Sequence, residues 1–448
     1  MTTPEVRLKD LCDDAGQYGL NVPASEYASA GVRMLRTTDL SPNGRLRDDV
    51  DPVFVGNPPG ARFLLEGGDL LLTRSGSVGR SFLVHALSDP TTFAGFLIRF
   101  RPRPSTDPRF LAYVAESTPF QDAVQADAIS STIQNFNAER YANIRVPNLP
   151  LDEQRRIADF LDAETARLDA LLNERARQLE LLSERRAALL VELLSGVSDG
   201  SRRPSGLDWL PSLPDGWPVV KLTLLARLGS GHTPSRSKPE WWAAPTIPWI
   251  TTGEVAQLRD DRLETITVTR EMISGLGLAN SSAEVHPMGT VVLSRTASVG
   301  YSAVMGVDMA TSQDFATWTC GPRIDAYYLL WTLRAMRPWL LGARAMGSTH
   351  KTIYMPDIQS LRVPLPPIEE QRSIVASVRS SLARIDQIHD ALAAQQSLLA
   401  ERRQALITAA VTGRLEVSAA RSSGPSTCNP IQGAGPRAPG PAVNRPDR

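Results

Sequence analysis

The sequence predicts an α+β protein in which two similar strand-rich globular domains are joined by two long helices that pair as an antiparallel coiled coil. One observation is a tandem repeat, since segment 145–157 recurs as segment 362–374 without insertion or deletion. The other is that each copy combines short β-like runs with a following heptad pattern of leucines. The repeated unit has a domain's length, far beyond a solenoid repeat. Two such halves most naturally pair about a pseudo-twofold axis, as the subunits of a symmetric dimer do.

The globular domains are predicted at residues 1–150 and 218–366. The first contains apolar runs such as FLLEGGDLLLT and FAGFLIRF between the turn signals SPNG and GNPPG. The second has the same texture in TVVLSRTASVGYSAV and YYLLWTLRAMRPW. Short apolar runs bounded by Gly, Pro and Asn are typical of strands. We therefore expect both domains to share one fold.

The long helices are predicted at residues 151–196 and 367–413. Each follows a proline-bracketed start, VPNLPLDEQRR or VPLPPIEEQRS, which places acidic residues in the first turn, where the helix dipole favours them. Gly196 and Gly413 are predicted to end the helices, since glycine is common just beyond a helix C-terminus. At 1.5 Å per residue, each helix is about 65 Å long.

An apolar seam with heptad spacing follows each predicted helix. It comprises Leu161, Leu168, Leu172, Leu179 and Leu182 in the first helix, and Val378, Leu382, Ile385, Leu392 and Leu399 in the second. An isolated helix with such a stripe is not stable in water, so the two helices are predicted to pack on each other. His389 lies on the second seam and is interpreted as a packing or register residue, or as part of a partner interface.

Two segments outside the repeated units are rich in Pro, Gly and Ser. Residues 197–217 are predicted to form a polar linker back to the second domain. Residues 414–448 are predicted to be a disordered tail, because this composition cannot bury a core.

The composition limits the classes of function. The chain has 48 basic and 48 acidic residues, so any nucleic-acid contact has to come from local patches. Its three cysteines and five histidines lack metal-ligand spacing, and no metal site is predicted. No apolar run is long enough to cross a membrane, and Met1 leads into a polar segment instead of a signal peptide. We therefore expect a cytoplasmic protein without membrane contact.

The duplicated organisation suits a ligand with two similar parts. Duplex DNA with two half-sites separated by an unread spacer is such a ligand, and the two helices would then act as a ruler.

Paired segments in the two halves carry a family resemblance. They are RVPNLPLDEQRRIADFLD and LRVPLPPIEEQRSIVASV at the helix starts, LLSERRAALLVELLSG and LLAERRQALITAAVTG at the helix ends, and SGLDWLPSLPDGWPVVKL between the halves. With these segments the chain resembles the specificity subunits of type I restriction-modification systems, over all but the tail.

The resemblance implies a non-catalytic subunit with two target recognition domains, each reading one half of a bipartite site in double-stranded DNA. It further implies that two methyltransferase subunits dock on the helices, with the seam residues as candidate docking positions, and that restriction subunits join the complex. No cofactor is expected in this chain, and SAM, ATP and Mg are expected on the partner subunits.

Candidate DNA contacts lie in two kinds of loop. The segments LLLTRSGSVGR and VVLSRTASVGY place Arg74, Ser75 and Ser77 in the first half, and Arg295, Thr296 and Ser298 in the second, where phosphates could approach closely. The second group is Gln134, Asn135, His350 and Lys351, side chains that can read adenine, guanine or phosphate. The alternatives are a hairpin turn whose glycines serve only the backbone, and solvated polar loops.

Two other classes of function remain open from the residues alone. A self-contained methyltransferase or nuclease needs a cofactor loop, an intact NPPF or NPPY motif, or a metal-binding carboxylate cluster, and the sequence shows none of these. The segment Asn57–Pro59 is followed by Gly60 instead of an aromatic residue and is interpreted as a turn. A structural coiled-coil scaffold would explain the helices but not the paired segments.

Overall fold

The computed structural model describes residues 4–41, 46–47, 49–128, 136–196, 200–346 and 351–417. Two compact units divide the chain. Unit 1 comprises Met1–Asn173 and Ser397–Arg448, and unit 2 comprises Glu174–Gln396.

Unit 1 contains the first globular domain and the start of the first long helix. Its elements are β1 (Glu5–Arg7), β2 (Gln17–Tyr18), β3 (Val32–Leu35), β4 (Val53–Val55), β5 (Leu70–Thr73), β6 (Ser81–Leu83), β7 (Thr91–Phe93), β8 (Leu97–Phe100), α1 (Pro108–Glu116), α2 (Thr118–Ala128), α3 (Ala138–Asn143), β9 (Arg145–Pro147) and α4 (Leu151–Leu194). Short 3-10 helices lie at Leu8–Leu11, Ala24–Glu26, Thr37–Asp39 and Ala61–Phe63. The sheets run in the orders β2-β8-β5-β6, β4-β3-β7 and β1-β9.

Unit 2 contains the second globular domain, the end of the first long helix and the start of the second. Its elements are β10 (Arg202–Leu207), β11 (Leu210–Pro214), β12 (Val219–Lys221), β13 (Ala226–Ser230), β14 (Ile247–Ile250), β15 (Thr265–Ile266), β16 (Glu271–Ile273), α5 (Gly275–Ala279), β17 (Val291–Ser294), β18 (Ser302–Met305), β19 (Ala310–Thr311), β20 (Phe315–Cys320), α6 (Ala326–Trp339), α7 (Met355–Gln359), β21 (Arg362–Pro364) and α8 (Ile368–Val411). Short 3-10 helices lie at Leu222–Leu224, Pro239–Trp242 and Thr252–Leu258, and a π-helical turn at Leu340–Arg344 follows α6. The sheets run in the orders β13-β20-β17-β18-β15, β16-β14-β19, β12-β21 and β10-β11.

The two globular domains repeat the same central arrangement. In unit 1, β5 pairs antiparallel with β6 and β8, and Thr73 lies opposite Leu97. In unit 2, β17 pairs antiparallel with β18 and β20, and Ser294 lies opposite Phe315. Both central strands, LLLT and VVLS, are buried at every position because sheet and helix cover their two faces. The expectation of one shared fold is confirmed in this arrangement.

Each unit includes the end of one long helix and the start of the other. Helix α4 begins in unit 1 and ends in unit 2, whereas α8 begins in unit 2 and ends in unit 1. The core of unit 1 joins Leu161 near the start of α4 to Val411 at the end of α8. The core of unit 2 joins Leu194 at the end of α4 to Val378 near the start of α8. In both units the helices therefore run antiparallel, and the predicted fold class is confirmed.

The helices end as their glycines predict. Gly196 and Gly413 have φ of 78° and 72°, in the left-handed region that favours glycine. Their N–H groups donate to the carbonyl oxygens of Leu193 and Ala410 at 3.2 Å, which continues the hydrogen bonding of the last turn.

Two segments differ from the sequence prediction. The stretch predicted as a polar linker contains the antiparallel hairpin β10–β11, and its Leu210, Leu213 and Trp217 are buried in the core of unit 2. In the stretch predicted as a disordered tail, Leu415 and Val417 pack against the core of unit 1. In both cases a few large apolar side chains find a domain core, although the local composition is that of a loop. Residues 418–448 lie outside the described part of the chain.

No helix in the described ranges is long and apolar enough to span a membrane.

Candidate nucleic-acid interface

A tight turn joins β5 to β6 in unit 1. Gly76 and Gly79 have φ of 75° and 88°, and the Thr73 hydroxyl donates to the Ser77 carbonyl oxygen. The Gly79 N–H donates to the buried Tyr141 hydroxyl at 2.9 Å. The buried Tyr141 side chain therefore holds the turn on the side of the domain interior, while Gly76 and Ser77 are exposed.

Unit 2 has the same turn between β17 and β18. Gly300 has φ of 88°, as Gly79 does, but Ala297 replaces Gly76 and still adopts φ of 61°. A left-handed conformation costs a non-glycine residue about 1–2 kcal/mol, so it has to be held in place. The Ala297 N–H donates to the Lys351 carbonyl oxygen at 3.0 Å and supplies one such restraint.

Arg74 and Arg295, the predicted DNA contacts of these turns, also hold the turns themselves. Arg74 Nη1 reaches the Gly95 carbonyl oxygen at 3.5 Å, and its guanidinium lies 5.1 Å from the centre of the Tyr18 ring. Arg295 Nε donates to the Gln313 carbonyl oxygen at 2.9 Å. Gly95 and Gln313 occupy the same place, just before β8 and β20. This paired contact supports the hairpin-turn alternative for the two arginines, and DNA contact by them stays a prediction.

The second group of predicted contacts meets the turn in unit 2. Lys351 is exposed, and its carbonyl oxygen holds Ala297. The Ile353 N–H donates to the Arg295 carbonyl oxygen at 2.8 Å. In unit 1, the Phe136 N–H makes the same contact with the Arg74 carbonyl oxygen, also at 2.8 Å. Gln134, Asn135 and His350 lie outside the described residues.

Exposed aromatic surface beside the first turn was missed in the sequence. The Phe96 side chain is 59% exposed and that of Tyr18 is 36% exposed. Strand register places Asp314 in unit 2 where Phe96 lies in unit 1, and Ser230 where Tyr18 lies. Thus the two turns share one backbone frame but present different side chains. An alignment of β8 with β20 would have revealed the exposed Phe96 at this position, but the two strands have little sequence in common.

Half of the residues of the apolar seam are buried by contacts within the chain. Five of the ten predicted seam residues are buried, namely Leu161, Leu168, Val378, Leu382 and Ile385. The other five are half-buried, namely Leu172, Leu179, Leu182, Leu392 and Leu399. Burial by the helix pair and the domain cores leaves the first five little surface for a partner.

Four other large apolar side chains on the helices are exposed. In unit 1 they are Leu171 and Leu398, which are 40% and 63% exposed. In unit 2 they are Leu181 and Ile388, both 52% exposed. They form two repeat-related sets, because Leu171 and Ile388 occupy equivalent positions in the two copies of the repeat, as do Leu181 and Leu398.

Among the described residues, no group of three or more His, Cys, Asp or Glu side chains could hold a metal ion. Burial raises the pKa of the Cys12 and Cys320 thiols to about 12, so both are poor nucleophiles near neutral pH.

A family model described as the type I restriction modification DNA specificity domain matches residues 60–181 and 214–394. The chain belongs to this family. The two matched segments correspond to the two halves of the repeat, and the predicted family is confirmed.

Named relatives agree with this assignment. The type I restriction enzyme MjaIX specificity subunit of Methanocaldococcus jannaschii is 28% identical over 36% of this chain and 37% of its own length. The putative type I restriction enzyme MjaX specificity subunit of the same organism is 20% identical over 80% of each chain. The match to the first relative thus spans little more than a third of that protein, whereas the second is matched over most of its length.

A solved chain supports the fold. It comes from work on the structural basis of complex assembly and conformational transition of the type I R-M system. The TM-score is 0.71 at 22% identity, over 92% of this chain and 98% of that chain. Because the family model and the named relatives are those of specificity subunits, the prediction of a specificity component instead of a catalyst is confirmed.

Proposed function

We propose that this specificity subunit reads a bipartite site in double-stranded DNA, with one half-sequence recognised by each globular domain. The observation that carries the proposal is the duplicated turn. The turns after β5 and β17 share backbone angles, an arginine-to-carbonyl contact and a neighbouring loop, but differ in the side chains they expose. A common frame with different side chains is what reading two different half-sequences requires.

In the first domain the proposed surface combines Ser75 and Ser77 with the exposed rings of Phe96 and Tyr18. Hydroxyl groups can donate to phosphates or base edges, and an exposed aromatic ring can pack against bases or a thymine methyl group. In the second domain the corresponding surface is polar and includes Thr296, Ser298 and Lys351. Lysine suits guanine or phosphate.

A domain exchange tests this proposal. Residues 1–150 are replaced by the corresponding domain of another family member, and the methylome of a host carrying the complete system is sequenced. One half-sequence should change, while the other half-sequence and the spacer persist. If both methylated half-sequences remain as before, sequence reading does not lie in these domains.

The chemistry of modification and restriction belongs, in this proposal, to partner subunits that dock on the long helices. Two methyltransferase subunits would bind SAM, and restriction subunits would bind ATP and Mg. Two copies of one partner fit the two repeat-related sets of exposed apolar side chains. Unit 1 offers Leu171 and Leu398, and unit 2 offers Leu181 and Ile388. Exposed apolar side chains on a polar helix surface are typical of a protein interface.

Serine substitutions test the docking surface. Leu171→Ser with Leu398→Ser should remove one methyltransferase subunit from the complex, and substitution of all four residues should remove both, as measured by native mass spectrometry. Leu224→Ser is the matched control, because Leu224 is 67% exposed but lies in the globular domain of unit 2. Retention of two methyltransferase subunits by the fourfold variant would place docking elsewhere.

A further inference from the structure

In unit 1 an arginine near the end of α8 bridges the other long helix and the globular domain. Arg403 Nε donates to Asp169 Oδ1 on α4 at 2.9 Å. Its Nη1 donates to Glu116 Oε2, at the end of α1, also at 2.9 Å. One guanidinium therefore joins three elements through two of its nitrogens.

Unit 2 repeats the arrangement with Arg186 near the end of α4. Arg186 Nε donates to Asp386 Oδ1 on α8 at 3.3 Å, and its Nη1 lies 3.8 Å from Asp261 Oδ2 in the globular domain. The helix residues are true repeats, since Arg186 and Arg403 occupy equivalent positions in the two copies, as do Asp169 and Asp386.

The domain carboxylates, by contrast, come from different positions. The N-cap residues Asp107 and Asp325 align α1 with α6, and this alignment places Arg334 at the position of Glu116. An acidic group is thus replaced by a basic one, and the missing carboxylate comes from Asp261, in the loop before β15. The two domains thus supply a carboxylate to the repeated arginine from different positions, which indicates that this ion pair is important in both units.

Asp261 is held firmly in that place. Its φ of 57° lies in the left-handed region. Arg337 donates two hydrogen bonds to its carboxylate, at 2.5 and 2.9 Å, and Arg334 Nε lies 3.5 Å away. Burial lowers the pKa of Arg334 to about 10, opposed by Asp261, so this side chain stays charged at neutral pH.

These ion pairs act beside other directional contacts between the helices and the domains, such as Arg109 with Asp159 in unit 1 and Arg262 with Asp390 in unit 2. Apolar packing between helix and domain holds them together but is not directional. A guanidinium whose separate nitrogens bind two carboxylates fixes both distance and angle. The Arg403 and Asp169 side chains are 19% and 14% exposed, so solvent screens this pair only in part. Burial lowers the pKa of Arg403, but Glu116 and Asp169 outweigh this and raise it.

We propose that Arg186 and Arg403 are positioning residues that hold each globular domain at one orientation on the helix pair and so restrict the spacer length the protein accepts. The proposal rests on the proposed function, in which the domains read the two half-sequences. Orientation matters because tilting a domain moves its reading surface along the DNA.

The test removes the contacts of Arg186 and Arg403 to the domains. Glu116→Gln and Asp261→Asn neutralise the domain carboxylates and leave both interhelix pairs, and asparagine tolerates the left-handed backbone at position 261. Because Asp261→Asn also removes the negative charge that Arg337 and Arg334 face within unit 2, Glu116→Gln is assayed alone as well. Asp122→Asn and Asp260→Asn are the matched controls, because both carboxylates are exposed nearby. Complexes assembled with methyltransferase subunits are assayed for methylation of duplexes that carry the native half-sequences and a spacer of native length, one base pair shorter or one base pair longer.

The double variant should lose selectivity for the native spacer by about tenfold, the effect of one lost charged hydrogen bond. It should keep both half-sequences, and the control variant should match the unaltered protein. Unchanged spacer selectivity in an active double variant overturns the proposal. If the double variant is inactive on every duplex, Glu116→Gln alone, which leaves Asp261 and its partners in place, decides the question, and unchanged spacer selectivity in that variant also overturns the proposal. If the unaltered complex shows no bipartite target at all, the proposed function itself has failed.

Discussion

The glutamine in each helix-start motif shows at the residue scale why that motif is repeated. Gln154 and Gln371 are 1% and 0% exposed. The Gln154 side-chain oxygen Oε1 accepts a hydrogen bond from the Asp107 N–H at 2.8 Å. Its side-chain nitrogen Nε2 donates to the Leu149 carbonyl oxygen, also at 2.8 Å. Gln371 does the same with Asp325 and Pro366, at 2.8 and 2.9 Å. In each unit, one amide thus joins the start of a long helix to the capped start of a domain helix.

We predict that Gln154→Leu destabilises unit 1 by about 1–3 kcal/mol, because it leaves the buried Asp107 N–H and the half-buried Leu149 carbonyl without their partner. The free energy of unfolding from chemical denaturation measures the effect. Arg156→Leu is the control on the exposed side of the same helical turn, and it should change stability by less than about 0.5 kcal/mol. Equal stabilities for the two variants would contradict a stabilising role for the Gln154 side chain.

Phe96 supplies a second prediction at this scale, which rests on the proposed DNA surface. Phe96→Ala should weaken binding of the bipartite duplex by about 1–3 kcal/mol, roughly 5- to 150-fold, if the ring packs on bases. Fluorescence anisotropy with labelled duplex gives the dissociation constant. Leu87→Ala is a suitable control, because Leu87 is 37% exposed in the same domain but lies outside the turn. An unchanged dissociation constant for Phe96→Ala would exclude Phe96 from the interface.

At the element scale, periodicity predicted the helices well and composition predicted the hairpin badly. The helices at Leu151–Leu194 and Ile368–Val411 lie close to the predicted 151–196 and 367–413, because a long heptad pattern with a proline start and a glycine end leaves few alternatives. The β10–β11 hairpin was missed because Pro204, Pro211 and Pro214 resemble loop residues, whereas its apolar side chains are held by a core distant in sequence.

Some of the functional residues could be predicted from the repeat, and others could not. The repeat located the turns at Arg74 and Arg295, since these follow buried strands in both halves. It could not locate Glu116 and Asp261, because these carboxylates occupy non-equivalent positions and meet the repeated arginines only in the folded chain.

A matched deletion tests the helices as a ruler. Removing residues 174–180 from α4 and 391–397 from α8 takes one heptad from each and keeps the ion pairs of Arg186 and Arg403. The preferred spacer should shorten by about 10 Å, or about three base pairs. Methylation should also be slower, because three base pairs fewer rotate one half-site by about 100° around the DNA axis. Methylome sequencing shows the spacer, and an unchanged spacer in an active variant would contradict the ruler.

Deleting residues 174–180 alone is the informative control for that experiment. Helix α8 keeps its length, so the partners of Arg186 and Arg403 cannot both be met. We expect this protein to lose stability and activity on every spacer length.

At the scale of the whole molecule, the core of each globular domain includes residues from a distant part of the sequence. The core of the first domain contains residues from the far end of the sequence, since Ile407, Ala410 and Val411 are buried together with Leu161 and the domain's own strands. The core of the second domain likewise contains Leu194, from the end of the helix that begins in unit 1. Each globular domain is therefore completed by the helix that follows the other one, and neither half of the repeat contains all of its own core.

This arrangement predicts a sharp boundary for truncation from the C-terminus. A chain ending at residue 417 keeps Leu415 and Val417 on the core of unit 1 and should assemble and select its target as the full chain does. A chain ending at residue 405 lacks the buried Ile407 and Val411 side chains, and the loss of their burial destabilises unit 1 by about 3–6 kcal/mol. Hydrogen exchange should then accelerate in β5 and β8, although these strands lie far from the cut in sequence, and much less in β17 and β20. Equal protection of β5 in the two truncated chains would show that the first domain forms its core without the end of α8.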